Sequence, residues 1–471
     1  MKYRFKISIP NRIVIILFVF IALIRPIQLS GQEESEKAFF IKKLHEIALS
    51  KQMSYKWLSF LSEKIGGRIA GSPQSLAAVE FTHQVLDSLN TTRVWNQACQ
   101  VNYWYRGEKE QGKIVNNSII GNKDLQVVAL GGSSATGQDG LTAEVIEVKS
   151  LDEAKALGAR AKGKILFFSR AFNNGNVRTF NSYGESVDQR VFGPNTAAKL
   201  GAKACLVRSM TGKLDDIPHT GVTIFEENVK PIPSLAVSTN GAELLSSLIR
   251  QSKVELFLKT MCEDRGPKTS YSVIGEIKGS EKPNEIILVG GHLDSWDIGG
   301  GAHDDGAGCV HSMEVFYLLK QMNYKPKRTL RCVLFMNEEN GLAGGKTYAE
   351  ESTKAGEYHY AAIESDAGGF SPRGFGYDID TTSLSKFSGF FAEWSGLLAT
   401  YDLSIKKGGT GADIGPLRPQ KGILFGLSPD SQRYFDFHHT EADRIEAVHP
   451  RELALGSAAM ASLVYLLDQT P

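Results

Sequence analysis

Neither sign of charge is in excess: 53 Lys+Arg face 52 Asp+Glu over 471 residues, a net +1. A protein that binds nucleic acid by neutralising phosphates normally carries a basic surplus, so that class is disfavoured. Cysteine is scarce and odd in number: Cys99, Cys205, Cys262, Cys309 and Cys332. No C-x-x-C pair occurs, which removes a thiolate zinc site. Cys309 and Cys332 lie in apolar segments and read as buried thiols. Long apolar runs are also missing. The run Ile13–Ile24 is 12 residues long, short of the about 20 that a spanning helix needs. A phosphate loop is absent too. Gly345-Lys346-Thr347 imitates its end, but Asn340 stands where the motif requires glycine, and in the Gly299 loop Asp304 replaces the third glycine of a G-x-G-x-x-G.

What is present is a globular composition, 42% hydrophobic and 22% charged, with chain enough for two or three domains. Lys2, Arg4, Lys6 and Arg12 precede the short apolar run, and Arg25-Pro26 ends it. That is the pattern of a secretory signal over 1–31, with an uncleaved anchor as the other reading. The expected location is periplasmic or secreted, with no membrane contact beyond that segment.

The texture changes along the chain. Within 32–110, Phe39–Leu49, Trp57–Ile65 and Gln74–Leu89 show helical spacing, divided by the loop Gly66–Pro73. Within 111–265, short β-rich runs (Leu125–Leu130, Leu141–Val148, Lys164–Phe168, Ala204–Val207, Ser234–Val237) alternate with turns, and the segment reads as an inserted accessory domain. Within 266–471, strand-like runs at Tyr271–Ile277, Glu285–Val289, Thr329–Phe335, Tyr360–Glu364 and Ile423–Leu427 alternate with helical stretches. The expected fold is α/β, with a mainly parallel, mixed sheet flanked by helices. Active sites in such sheets lie beyond the carboxyl ends of the strands.

Those ends are where imidazoles and carboxylates recur. Gly290-Gly291-His292-Leu293-Asp294 follows one strand, and a glycine-rich loop with His303-Asp304-Asp305 leads into a helix. Asn337-Glu338-Glu339, Glu364-Ser365-Asp366 and Phe437-His438-His439-Thr440 follow the others. Neutral imidazoles and hard carboxylates are what Zn²⁺ prefers. Two His and three carboxylates, one of them bridging, can hold two ions about 3.5–4 Å apart. Asp294, two residues after His292 on extended chain, suits a hydrogen bond from the imidazole to its carboxylate. Adjacent glutamates can divide their work, one as ligand and one as general base. His303, His311, His438 and His449 are not expected to be ligands.

These five motifs in order resemble the dizinc exopeptidases of the aminopeptidase class, and the Ser295-Trp296-Asp297 and His-His-Thr segments favour the carboxypeptidase Q branch. The segments Gly163–Arg170 and Gly201–Arg208 resemble a protease-associated domain. The resemblance implies a zinc-exopeptidase fold with that insert, two Zn²⁺ per chain and a homodimer. It implies metal ligands His292, Asp304, Glu339, Asp366 and His439. Asp304 bridges, His292 and Asp366 complete one site, and Glu339 and His439 complete the other. Glu338 is the general base, Asp305 supports Asp304 through an adjacent strained peptide, and Asp294 is the second candidate catalytic residue. The family often has threonine where Arg444 stands. The implied reaction is hydrolysis of short peptides, dipeptides with a free N-terminus foremost. A non-catalytic ectodomain like that of the transferrin receptor would lack the ligands kept here, and a glutaminyl-cyclase-type acyl transfer would use one zinc.

Overall fold

The computed structural model describes residues 35–471, so the signal segment assigned to 1–31 lies outside the described residues. Two eight-stranded sheets, both flanked by helices, form the chain.

The first sheet runs Arg93–Tyr105, Glu263–Ile277, Arg328–Phe335, Lys282–His292, Tyr358–Glu364, Ile423–Pro429, Pro372–Asp378, Ser404–Lys407. Its four central strands, Arg328–Phe335 through Ile423–Pro429, are parallel neighbours. Antiparallel pairs flank them. In the central Lys282–His292 strand, Ile287 and Val289 pack with the helices on one face, and Leu288 packs with Tyr348, Ala349 and Leu424 on the other. Apolar residues on both sides of the pleat bury both faces, as a helix-covered parallel sheet requires. Each fully buried Leu or Ile contributes about 1.5–3 kcal/mol.

Helix Pro73–Asp87 starts as its sequence indicates. The Ser72 hydroxyl accepts from the Ser75 N–H at 3.1 Å, and proline occupies the first turn. Helices Ala307–Gln321 and Pro450–Asp468 pack together beneath the sheet.

Several elements escaped the sequence reading. Arg93–Tyr105 pairs along its length with Glu263–Ile277, from Arg93 opposite Glu276 to Tyr105 opposite Glu263. Its inward positions Cys99, Val101 and Tyr103 alternate with polar outward ones, but asparagine and glutamine dilute the apolar signal. Pro372–Asp378 and Ser404–Lys407 are short and carry glycine or lysine, which weakens a strand pattern.

The second sheet is built wholly from strands between Gln111 and Lys259. It has its own apolar core, including Ile114, Val145, Phe167, Leu206, Leu235, Leu245 and Leu256. Helix Thr179–Val191 and the chain around Thr220 connect this unit to the first sheet's loops. All five cysteines are buried and free, so the structure forms no disulfide.

Candidate metal centre

The four parallel strands end level. His292 lies opposite Phe335, and Gly290 lies opposite Glu364, which in turn lies opposite Gly426. Loops leaving this edge therefore converge over it. His292 is the last residue of its strand. Asp304 and Asp305 follow in the turn Ala302–Gly306, where both leave helical geometry before helix Ala307–Gln321 begins. The peptide bond joining them is cis. Glycine is needed here for close approach. A side chain at Gly291 would overlap the Asp305 carboxylate, and one at Gly308 would overlap the Ser365 carbonyl.

Asp304 is the hub. Its Oδ1 is 3.2 Å from His292 Nε2, and its Oδ2 is 3.3 Å from His439 Nε2. His292 Nε2 also lies 3.4 Å from Asp366 Oδ1, and His439 Nε2 lies 3.2 Å from Glu339 Oε2. All five expected ligands thus meet in one place, as two groups sharing Asp304. Buried Asp304 Oδ2 and Glu339 Oε1 make no hydrogen bond among the described residues, and burying such atoms unpaired is costly. Imidazole, carboxylate and orphaned oxygen together fit a metal site. His438, not expected to be a ligand, stacks on His439 with ring centroids 3.6 Å apart and places Nε2 3.6 Å from Asp304 Oδ2. The other excluded histidines have structural partners. His303 lies flat on Phe370 and bonds through both ring nitrogens to main chain. His311 meets the Ser365 hydroxyl, and His449 caps a helix.

Electrostatics follow from this crowding. Burial opposes charge on His439, but Glu339 and Asp304 outweigh it and push the imidazole up to about 10. His292 is raised well above its usual range by Asp366 and Asp304, again against burial. Burial would raise Asp304, yet His292 and His439 hold it well below the ordinary carboxylate range. Glu338 is raised well above its usual value by burial and then by Asp366, Glu339 and Asp304. It is half-buried and lines a cleft of about 500 Å³ together with Asp304, Glu339, Asp366 and His439.

One expected contact differs. The His292 Nδ1 hydrogen bond goes to the Asp294 main-chain carbonyl at 2.9 Å, and the Asp294 carboxylate stands 3.9 Å away. That carboxylate instead accepts from the N–H groups of Asn337 and Glu338, at 2.6 and 3.1 Å. Asn337 sits at φ 74°, a left-handed conformation that turns both N–H groups toward Asp294. Asp294 therefore holds the glutamate loop in place.

Three supporting residues were missed. Asp443 accepts from the N–H groups of His303 and Asp304, at 2.7 and 3.0 Å. The fully buried Arg68 donates to the carbonyls of Leu293, Gly300 and Gly301 at 2.6–3.0 Å, tying together the loops around His292 and Asp304. Arg190, from the second unit, lies 3.3 Å from His439 Nδ1. Arg68 stood inside the flagged Gly66–Pro73 loop, while Arg190 carried no sequence signal.

Fold and site together define a metallopeptidase: an α/β sheet with a His and carboxylate cluster at the carboxyl ends of its parallel strands. The model of peptidase family M28 matches residues 272–464. Carboxypeptidase Q of Bos taurus is 32% identical over 422 residues, covering 89% of this chain and 86% of that protein. The crystal structure of a peptidase M28 precursor from Shewanella amazonensis superposes with a TM-score of 0.86 at 32% identity, over 92% of this chain and 97% of that one. A zinc aminopeptidase of Bacillus subtilis shares the fold, with a TM-score of 0.61 at 24% identity over 88% and 94% of the two chains. The chain belongs to peptidase family M28. It is a metallo-exopeptidase by that membership, and its substrates are peptides.

Proposed function

We propose that the protein is an exported dizinc exopeptidase that hydrolyses short peptides, dipeptides with a free N-terminus above all. The observation that carries this reading is Asp304, which directs one carboxylate oxygen to each imidazole. His292 and Asp366 would hold one zinc, Glu339 and His439 the other, with Asp304 between them. Zinc bound there supplies Lewis acidity, polarising the scissile carbonyl and making the attacking water more acidic. Glu338 faces the cleft with a carboxylate whose proton affinity is raised, so it takes the water's proton and delivers it to the leaving amine nitrogen. Asp294 positions Glu338 by holding its main-chain N–H. The unit formed by 111–265 is read as an insert that walls one side of the cleft with Phe180, Tyr183 and Val222. Export and a homodimer complete the reading by family resemblance. No helix among the described residues is long and apolar enough to cross a membrane.

The test is Glu338→Gln. Turnover on a cleaved dipeptide should fall by about 10²–10⁴-fold, with zinc content equal to that of the parent protein. A variant retaining near-parental turnover would remove Glu338 from this role.

A further inference from the structure

The segment 431–440 carries His439, and the second unit grips it at several points. The Thr179 hydroxyl donates to the Ser431 carbonyl at 2.9 Å, and the Gln432 side chain donates to the Val177 carbonyl at 2.9 Å. Tyr183 stacks on Phe435 with ring centroids 4.9 Å apart, and Phe180 stacks on Tyr434 at 5.5 Å. His439 itself sits at φ 61°. That left-handed backbone is sparsely populated by residues with a side chain and persists only where the surroundings hold it. Bonds within the segment run from the N–H of His438 to the Tyr434 carbonyl and from the N–H of Thr440 to the Phe437 carbonyl. The His439 carbonyl is instead taken by the second unit, accepting from the N–H of Thr220 at 2.9 Å.

Thr220 holds the ring as well. His439 turns Nε2 toward Asp304 and Glu339, 3.3 and 3.2 Å away. An imidazole that gives Nε2 to a metal carries its hydrogen on Nδ1, and the acceptor of that hydrogen fixes the ring's orientation. Two groups stand 3.3 Å from Nδ1, the Thr220 carbonyl and the Arg190 guanidinium. A guanidinium has donors only, so the carbonyl is the acceptor. One residue thus holds His439 twice, by main chain and by ring. Thr220 is fully buried, and its hydroxyl donates to the Ala129 carbonyl at 2.7 Å. Arg106 donates to the same carbonyl at 2.6 Å and pairs with Glu110 and Asp297. Contacts therefore run unbroken from Asp297, in the loop after His292, through Arg106, Ala129 and Thr220 to His439.

Resting on His439 being a zinc ligand of the proposed peptidase, we infer that Thr220 is a positioning residue of the metal centre. Through it the second unit governs affinity for the ion held by Glu339 and His439. The ion held by His292 and Asp366 is independent of this contact, because His292 Nδ1 bonds to the Asp294 carbonyl of its own loop at 2.9 Å.

The test is Thr220→Val in the full chain, which keeps the side chain's shape and removes the hydroxyl. A carbon stands about 3.3 Å or more from a carbonyl oxygen, so the 2.7 Å contact with Ala129 opens and the Thr220 main chain shifts against His439. The Ala129 carbonyl keeps its Arg106 donor, so no buried acceptor is orphaned. Thr220→Ser retains the hydroxyl. Ser246→Ala removes a hydroxyl bonded to Glu147 elsewhere in the second unit and controls for general loosening. Competition with a chromogenic chelator resolves the two zinc affinities. Thr220→Val should weaken one ion by about 10–100-fold and the other by less than about threefold. Both Thr220→Ser and Ser246→Ala should keep parental values. Coupling is reciprocal, so zinc should slow hydrogen exchange at the Thr220 amide of the parent by at least about tenfold.

Parental affinities in Thr220→Val, equal weakening of both ions, or the same selective loss in Thr220→Ser or Ser246→Ala would each overturn the inference. Should Thr220→Val not fold, amide exchange in the parent decides: slowing by zinc supports the inference, and an equal rate with and without zinc overturns it. Dipeptide turnover is read alongside. Two ions with this dependence on Thr220 but no cleavage would remove the peptidase reading and leave the inference standing. Cleavage with affinities that ignore Thr220 would do the reverse.

Discussion

Replacing Asp443 with asparagine should loosen zinc without removing any ligand. The Asp443 carboxylate accepts from the N–H of His303 at 2.7 Å and from the N–H of Asp304 at 3.0 Å. Its own carbonyl accepts from the N–H of Gly300 at 2.8 Å, so it clamps the loop leading into Asp304 at three points. Burial raises the Asp443 carboxyl to about 7, and the two N–H donors oppose that rise by favouring the ionised form. At pH 8 both oxygens are therefore acceptors. Asparagine keeps one acceptor and turns an NH₂ group against the other N–H. Losing one charged hydrogen bond and opposing two donors costs about 2–4 kcal/mol. The strain falls on the Asp304 main chain, and outer partners of metal ligands typically govern affinity by about 10–100-fold. Competition against a chromogenic chelator at pH 8 should show zinc Kd raised by that factor, with an unchanged fold by circular dichroism. A Kd within threefold of the parent would refute the view that Asp443 positions Asp304.

Two further outcomes follow from the same geometry. In the metal-free protein His292 and His439 (up to about 10) are held protonated at pH 7, whereas zinc needs neutral imidazole. Zinc binding should release protons and tighten as pH rises toward 10, and calorimetry in two buffers of different ionisation enthalpy should differ accordingly; equal enthalpies would count against it. Gly308→Ala places a methyl against the Ser365 carbonyl and the Asp305 carboxylate, which should destabilise the fold by about 3 kcal/mol, and a urea midpoint equal to the parent's would contradict that packing.

The site was legible in the sequence because its chemistry is local to strand ends. His292, Glu338, Glu339 and Asp366 stand at or just beyond the ends of apolar strand runs, Asp304 and His439 stand in the loops further on, and pairing of four parallel strands brings them to one edge. The edge strand Arg93–Tyr105 was harder to see, since it is polar on its outward side, and in its neighbour Glu263–Ile277 only the buried second half, Tyr271–Ile277, carries a strand pattern. Supporting contacts were hidden for a different reason. Asp294 bonds to main chain 43 and 44 residues away, Asp443 to main chain 139 and 140 residues away. Neither spacing leaves a mark in local pattern. Arg190 was least visible, because a single arginine on an amphipathic helix looks like a solvated one until the fold buries it without a carboxylate.

The central claim is that two metal ions held by these residues enable peptide hydrolysis. Its most direct measurement is metal content by mass spectrometry on the purified chain, paired with dipeptide hydrolysis before and after chelation. The account predicts two zinc ions per chain, activity lost on chelation, and activity restored by zinc in proportion to occupancy. A metal-free chain that cleaves dipeptides at full rate, or a chain with two zinc ions that cleaves none, would contradict it.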